Sequence, residues 1–480
     1  MIPLFTTNTS LTNMNQFTKI RRSKVAAGAA GIMALAASSW GQSADALIDK
    51  LVEKGILNVK EANQLREETD KGFTQAYSVK SGMPDWVTSL KFNGDFRGRF
   101  EENNAENPTY HSRDRYRYRV RFGITASLMN DFEVGLRLAS GNPQTNPGGT
   151  LVGGQPITAN TDLNSLGSRK FIWVDAAYAK WAPLHTGDWS LSLAIGKIDN
   201  PFMLSNMIWD YDINPEGAGL QMGYNLNSDH VLKFNGGIFV LDELNQTVGA
   251  PYPAASPRPS VSHDPYVYGA QLLLESKWGS KFDTALGLAV MNIGNRDSLS
   301  ALIQPFYNSG NTRNATTGVL AHNFNPIIGT ASATYRLDSL PTYDGAFPIK
   351  VMGEYMNNPG APANNVGYRV GLTLGKAGRK KAWEINYRYQ SLEADAWFDA
   401  LVDDDNGAYY AAGNPQMAGT GKASGWFGGT NVKGHLFQGT YNFTDFVNVT
   451  FTYYMNELII NTPGKNSDSG HFMADIMWKF

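Results

Sequence analysis

The chain has 480 residues, a formal net charge of -2, no cysteine, 49 glycines and 12% aromatic residues. Without cysteine there is no disulfide framework and no thiolate metal site, and the nearly balanced charge gives nucleic acid no reason to bind. Glycine for turns and aromatics for pleated surfaces favour a β-rich chain over a helical multidomain one.

Lys19, Arg21, Arg22 and Lys24 precede an apolar run from Val25 to Ala37, followed by Ser38, Ser39, Trp40 and Gly41. This is the pattern of a secretory signal peptide over residues 1–41. As a membrane anchor the run would be short, since a spanning helix needs ~20 apolar residues. Leu47, Leu51, Ile56, Leu57, Ala62 and Leu65 then recur at helical spacing, with Gly55 between two short helices. Residues 42–84 are therefore expected as a short N-terminal α-helical segment and linker. The stripe over 44–71 suits a spacer, an oligomerisation element or a contact with a periplasmic partner. No later apolar segment is long enough for a membrane helix, so a chain that spans a membrane must do so as a closed barrel.

From Asp85 to Phe480 the hydrophobic period is two, the period of a strand. Leu90, Phe92, Phe96 and Phe100 face one way, and Lys91, Asn93, Asp95, Arg97, Arg99 and Glu101 the other. Next, Arg113, Arg115, Arg117, Arg119 and Arg121 alternate with Tyr116, Tyr118, Val120 and Phe122. A tight turn at Asn130 and Asp131 leads to Phe132, Val134, Leu136 and Leu138. Further alternations begin near Lys170, Trp189, Gly217, Val231, Tyr266, Phe282, Ile327, Ile349, Val366, Trp383, Lys433 and Val447, and the last ends at Phe480. The fold class read from this is all-β, a transmembrane antiparallel β-barrel of about sixteen strands over 85–480, each near the ~9–11 residues that a tilted spanning strand requires.

Short links (130–131, 183–188, 225–230, 279–281, 376–381 and 444–445) alternate with long ones near 102–111, 141–169, 242–264, 294–324 and 393–431, and only 338–347 is longer than its short class. Short periplasmic turns and long outer loops belong to membrane barrels. Trp86, Trp181, Trp189, Trp278, Trp383 and Trp478 fall near strand ends, as aromatic girdles do. Outward faces are apolar and inward faces polar, whereas a soluble barrel would hold its apolar core inside.

In its FRGRFEEN and RDRYRYRVRFG strands, its GKIDNPF stretch from Gly196 to Phe202, Trp209 to Asp212, Pro215 to Gly217 and its terminal Phe480, the chain resembles the putative porins of the Gram-negative outer membrane, general-diffusion barrels of sixteen or so strands. The helical stretch before the barrel resembles that family's N-terminal segment. The resemblance implies an inward-folded third outer loop near 198–216 that lines a constriction, and a homotrimer set in outer-membrane lipid and lipopolysaccharide. It implies no cofactor.

On that footing the pore-lining candidates are Arg97, Arg99, Arg113, Arg115, Arg117, Arg119 and Arg121 on one wall, with Asp199, Asp210, Asp212 and Glu216 facing them from the loop. Opposed charges of this kind orient solutes and bias ion permeation. In the competing arrangement, Asp95, Glu101, Glu133 and Asp175 neutralise the arginines as salt bridges along the wall. Enzyme signatures are poor: there is no Gly-x-Ser-x-Gly elbow and no His-Glu-x-x-His, and Ala423 follows Gly421 and Lys422 where a phosphate loop needs Ser or Thr. A barrel phospholipase needs Ser and His on one face, and no such pair is evident. Asp403 to Gly407 lacks calcium-loop spacing and reads as a solvated turn, so no metal site is assigned. The expected function is a passive, water-filled channel for small hydrophilic solutes and ions. The rival is a structural or adhesive barrel that binds a partner through its long loops.

Overall fold

The computed structural model describes residues 82–480 apart from 108–109, 147–148, 186, 244–263, 303 and 305. The expected signal peptide and the helical stretch at 44–71 lie outside the described residues. The chain divides into two units, Met1–Ser89 and Leu90–Phe480, and the second holds the barrel.

Sixteen long strands build it: β1 (Val87–Ala105), β2 (Arg113–Leu128), β3 (Phe132–Ser140), β4 (Ile172–Leu184), β5 (Trp189–Lys197), β6 (Glu216–Asn225), β7 (His230–Val240) and β8 (Tyr266–Lys277) come first. Then follow β9 (Phe282–Gly294), β10 (Ile327–Leu337), β11 (Phe347–Asn357), β12 (Val366–Gly375), β13 (Trp383–Leu392), β14 (Val432–Asn442), β15 (Val447–Leu458) and β16 (Ser469–Lys479). Each pairs with the next in the chain. The first and last close the ring antiparallel, from Asp95 opposite Lys479 to Ala105 opposite Ser469. Closure leaves no barrel edge with open hydrogen bonds, which is what a sheet in hydrocarbon requires.

Phe480 finishes the seam. Its N–H donates to the Gly94 carbonyl at 3.0 Å and its carbonyl accepts from the Gly94 N–H at 2.8 Å. A Cβ at position 94 would collide with the Phe480 ring and the Arg121 carbonyl, so glycine is needed where the terminal ring lies over the strand.

The alternation read from the sequence sorts as expected. On β1 and β2, Asp95, Arg97, Arg99, Glu101, Arg117 and Arg119 are buried inside, while Phe92, Phe96, Tyr116 and Phe122 are exposed outside. Val134 and Leu136, Leu286 and Leu288, Val351, Val370 and Phe451 extend the exposed apolar surface around the barrel, an area that water does not tolerate and lipid does. In the three-residue turn Met129–Asp131, Asn130 and Asp131 take left-handed φ of 61° and 63°, a conformation that Asn and Asp adopt more readily than other residues with a Cβ. Trp181, Trp189, Trp278 and Trp478 are exposed near the short-turn end.

Two features depart from the sequence reading. Link lengths do not alternate strictly, because 358–365 on the long-loop side is no longer than 338–346 on the turn side. The buried Asn358 fixes this short link by donating to the Asn323 and Asp395 carbonyls beneath two larger loops. The interior is also not polar throughout. Inward Phe239, Val267, Met291, Ile328 and Met356 pack against Phe202, Met207, Ile208 and Trp209 of loop 198–215, Leu299 and Phe324 of loop 295–326, and Trp397 and Phe398 of loop 393–431. Each large side chain so buried contributes ~1.5–3 kcal/mol. The loops therefore fold inward because part of the inner wall is apolar.

Candidate functional site

The interior site begins with the arginine wall. Neighbouring inward positions on a strand would bring like charges into repulsion, and the fold places an acid between them. From β1, Asp95 meets Arg119 at 2.9 Å and Arg121 at 2.7 Å. Glu101, fully buried, meets Arg117 at 3.2 Å and also Arg115. Arg117 meets Asp162 of loop 141–171 at 3.0 Å. Strand closure sets Arg99 opposite Asp475, and their paired contacts of 2.7 and 2.9 Å form a two-pronged charge-assisted link. Arg97 donates to Asn160 at 2.8 Å. Arg113 is exposed at the start of β2.

Loop 198–215 crosses the interior from β5 and β6 to the far wall. Gln271 of β8 brackets Met203, accepting from its N–H at 2.8 Å and donating to its carbonyl at 3.1 Å. Ser205 donates to Glu354 of β11. The Asn206 side-chain oxygen accepts from Arg369 of β12 at 2.8 Å and Arg388 of β13 at 3.1 Å. Trp397 of loop 393–431 donates to the Ile208 carbonyl at 2.8 Å, and the Asp210 N–H donates to the Leu401 carbonyl at 2.7 Å.

The four expected loop acids go to different places. Asp212 reaches the ladder, 3.5 Å from Arg119. Asp199 instead pairs with Arg137 of β3 at 3.1 Å, and Glu216 with Lys197 at 2.9 Å. Asp210 is buried beside Asp403 and Asp404, with carboxylate oxygens of all three within 4.8 Å of one another. Of the wall acids, Asp95, Glu101 and Asp175 do neutralise arginines, Asp175 by meeting Arg137, whereas Glu133 accepts from the Tyr178 hydroxyl at 2.8 Å.

Asp403 to Asp405 are thus not a solvated outer turn. They lie inside the barrel because Arg388 meets Asp403 at 3.4 Å and Arg99 meets Asp405 at 3.4 Å. Burial pushes Asp403 up to about 6 despite Arg388. Burial and the neighbouring acids hold Asp210 and Asp404 well above the usual carboxylate range. Asp405 runs the other way, drawn down to about 2 by Arg99, His471 and Arg117 against the effect of its burial. Three carboxylates are a donor set that a hard divalent cation accepts; the raised values show that protons relieve the same crowding.

A second clasp joins loops 295–326 and 393–431. Arg313 and Asp399 pair at 2.8 Å in full burial. Asn311 donates to the Ala394 and Trp397 carbonyls, both at 2.7 Å. The Lys422 ammonium donates to the Tyr307 and Asn308 carbonyls, both at 2.6 Å, and burial lowers it to about 7.

These residues were not among the sequence candidates. Asp475 had a readable signal, since it falls opposite Arg99 once the first and last strands are paired. The Trp397-Phe398 pair beside the acidic run was another, an apolar dipeptide with no place in a solvated loop.

Residues 103–317 match the family model described as putative porin. No curated protein matches the chain. Among solved structures, Pseudomonas putida OprB at high pH is 10% identical, with 86% of this chain and 97% of that chain covered and a TM-score of 0.47. Salmonella typhi OmpF, in complex with daunomycin, is 10% identical over 82% of this chain and 98% of its own, with a TM-score of 0.42. A mutant of the Rh. blastica porin gives 10%, 82%, 100% and 0.38. The family match thus takes in residues 103–317 of a closed sixteen-stranded barrel, and over that stretch the chain is similar to the putative porins.

Proposed function

We propose that this protein is a passive, water-filled diffusion channel of the outer membrane for small hydrophilic solutes and ions, selecting by size and charge. The observation that carries it is loop 198–215, which crosses the inside of a closed barrel and is tied to both walls. A loop so held narrows the passage to a fixed width. The arginine wall, neutralised along β1 and β2 and touching Asp212, braces that partition. The proposal assigns no catalysis. It sets the barrel in lipid and lipopolysaccharide as a homotrimer, with residues 44–71 in the periplasm.

The apolar core formed by the three inward loops favours a second reading, a plugged structural or adhesive barrel. Planar-bilayer recording of the purified full chain separates them. A channel gives stable conductance steps in salt. Persistent silence from protein shown to be folded by its β-sheet circular dichroism would overturn the channel and leave the plug.

A further inference from the structure

Resting on the channel reading, three adjoining cavities of the interior mark a route. A cavity of about 340 Å³ has Gln155, Asp175, Lys197, Asn214 and Glu216 in its lining. A second, of about 210 Å³, shares Ile213 and Asn214 with it and adds Asp199, Asn200 and Asp210. A third, of about 150 Å³, shares Asp199 and Asn200 with the second and adds Glu133, Lys180 and Ser192. Glu133 lies beside the turn at 129–131, and Gln155 belongs to outer loop 141–171. The three therefore follow one another down the inner face of β3–β6, from the outer end towards the turn end. No ladder arginine lines any of them.

The exposure of each partner decides the sign of the field along this line. In the Arg137–Asp199 pair the Asp199 side chain is 71% exposed and the arginine 25%. In the Lys197–Glu216 pair the acid is 66% exposed and the lysine 28%. In each pair the carboxylate is the more exposed member, by more than a factor of two. At the ladder Arg99, Arg117 and Arg119 expose only 4–6% of their side chains, so their charge is spent on buried partners.

We infer that permeating ions pass along the β3–β6 wall rather than past the arginine ladder, that this route prefers cations, and that Asp199 determines the preference. Asp199 lines both the middle and the inner cavity and is the more exposed member of its pair, so a passing ion meets its carboxylate first.

The test uses the full chain in planar bilayers under a potassium chloride gradient. The expected wild-type reversal potential corresponds to a potassium preference of at least about twofold, and Asp199→Asn moves that ratio towards unity by removing one charge from the lining. Ser192→Trp fills the inner cavity from a strand position and lowers the single-channel conductance severalfold. The wild-type sign needs no variant, so a variant that fails to fold does not shelter the inference. A chloride preference in the wild type, a potential unchanged in folded Asp199→Asn, or an undiminished conductance in folded Ser192→Trp each overturns this route while leaving a channel. Silence of all folded forms removes the channel reading beneath it.

Discussion

The β1–β2 wall and the β3–β6 wall carry charge to opposite ends. The first holds five arginines at alternate positions, yet Asp95, Glu101, Asp162 and Asp475 hold Arg99, Arg117 and Arg119 in pairs whose arginines are buried. The second holds fewer charges, but Asp199 and Glu216 leave theirs in water. A buried pair is screened little and fixes neighbouring strands and loops, while an exposed acid projects its field into the lumen. Charge density along a strand is therefore a poor guide to the field that a solute meets. What counts is which partner of each pair faces the water.

The largest expected effect tests the structural half of this contrast. Arg99→Ala leaves the buried Asp475 and the half-buried Asp405 without their cation, and breaking a buried pair costs ~3–5 kcal/mol. Asp475 is on β16 and Asp405 in loop 393–431, so the seam of the barrel and the inward loop both loosen. The unfolding midpoint in denaturant falls, and proteolysis within 393–431 quickens. A midpoint equal to that of the wild type would mean that the ladder is not structural, and its charge would have to be returned to the lumen.

The contrast also shows which parts of the molecule were legible in advance. The strands were, because a half-lipid, half-lumen strand must alternate along its whole length, and starts such as Trp189, Tyr266, Phe282, Ile327, Val366, Trp383 and Val447 coincide with the observed ones. The crossing of loop 198–215 followed from a resemblance and not from a period. The inner plug had no period to read. Phe202, Trp209, Trp397 and Phe398 sit in irregular segments whose partners arrive from strands far away in the chain. For the same reason Asp403 to Asp405 looked like a solvated turn, since Arg99 lies some three hundred residues earlier and nothing local announces it.

A smaller effect comes from the acids that loops 198–215 and 393–431 bring together. Asp403 is pushed up to about 6 from 3.8, and Asp210 and Asp404 are raised further, so the folded chain keeps protons that the unfolded chain has released. Folding then binds protons in this interval. Stability from the cluster is complete below 3.8 and declines as pH rises through about 6. Asp404→Asn removes one repelling charge, so the variant is more stable than the wild type at pH 7, and its loss of stability between pH 4 and 7 is shallower. Unfolding midpoints measured across that range check both. A wild-type stability that rises over the interval would show that the ladder arginines hold these acids ionised, and the two walls would then share one field.

The smallest expected effect bears most directly on the contrast. Arg121 is the ladder member whose side chain is 26% exposed while its partner Asp95 is 11% exposed, so among the ladder pairs described it comes closest to presenting charge to the lumen. Asp95 keeps Arg119 at 2.9 Å after Arg121→Gln, and loss of a partly exposed pair costs about 1 kcal/mol or less. The reversal potential of Arg121→Gln should therefore move less than that of Asp199→Asn in the same gradient, although each changes the charge by one unit. Equal shifts would mean that a solute senses both walls alike. In that case the depth at which a charge is buried, rather than the wall it stands on, would no longer explain the preference, and Asp199 would lose its special place.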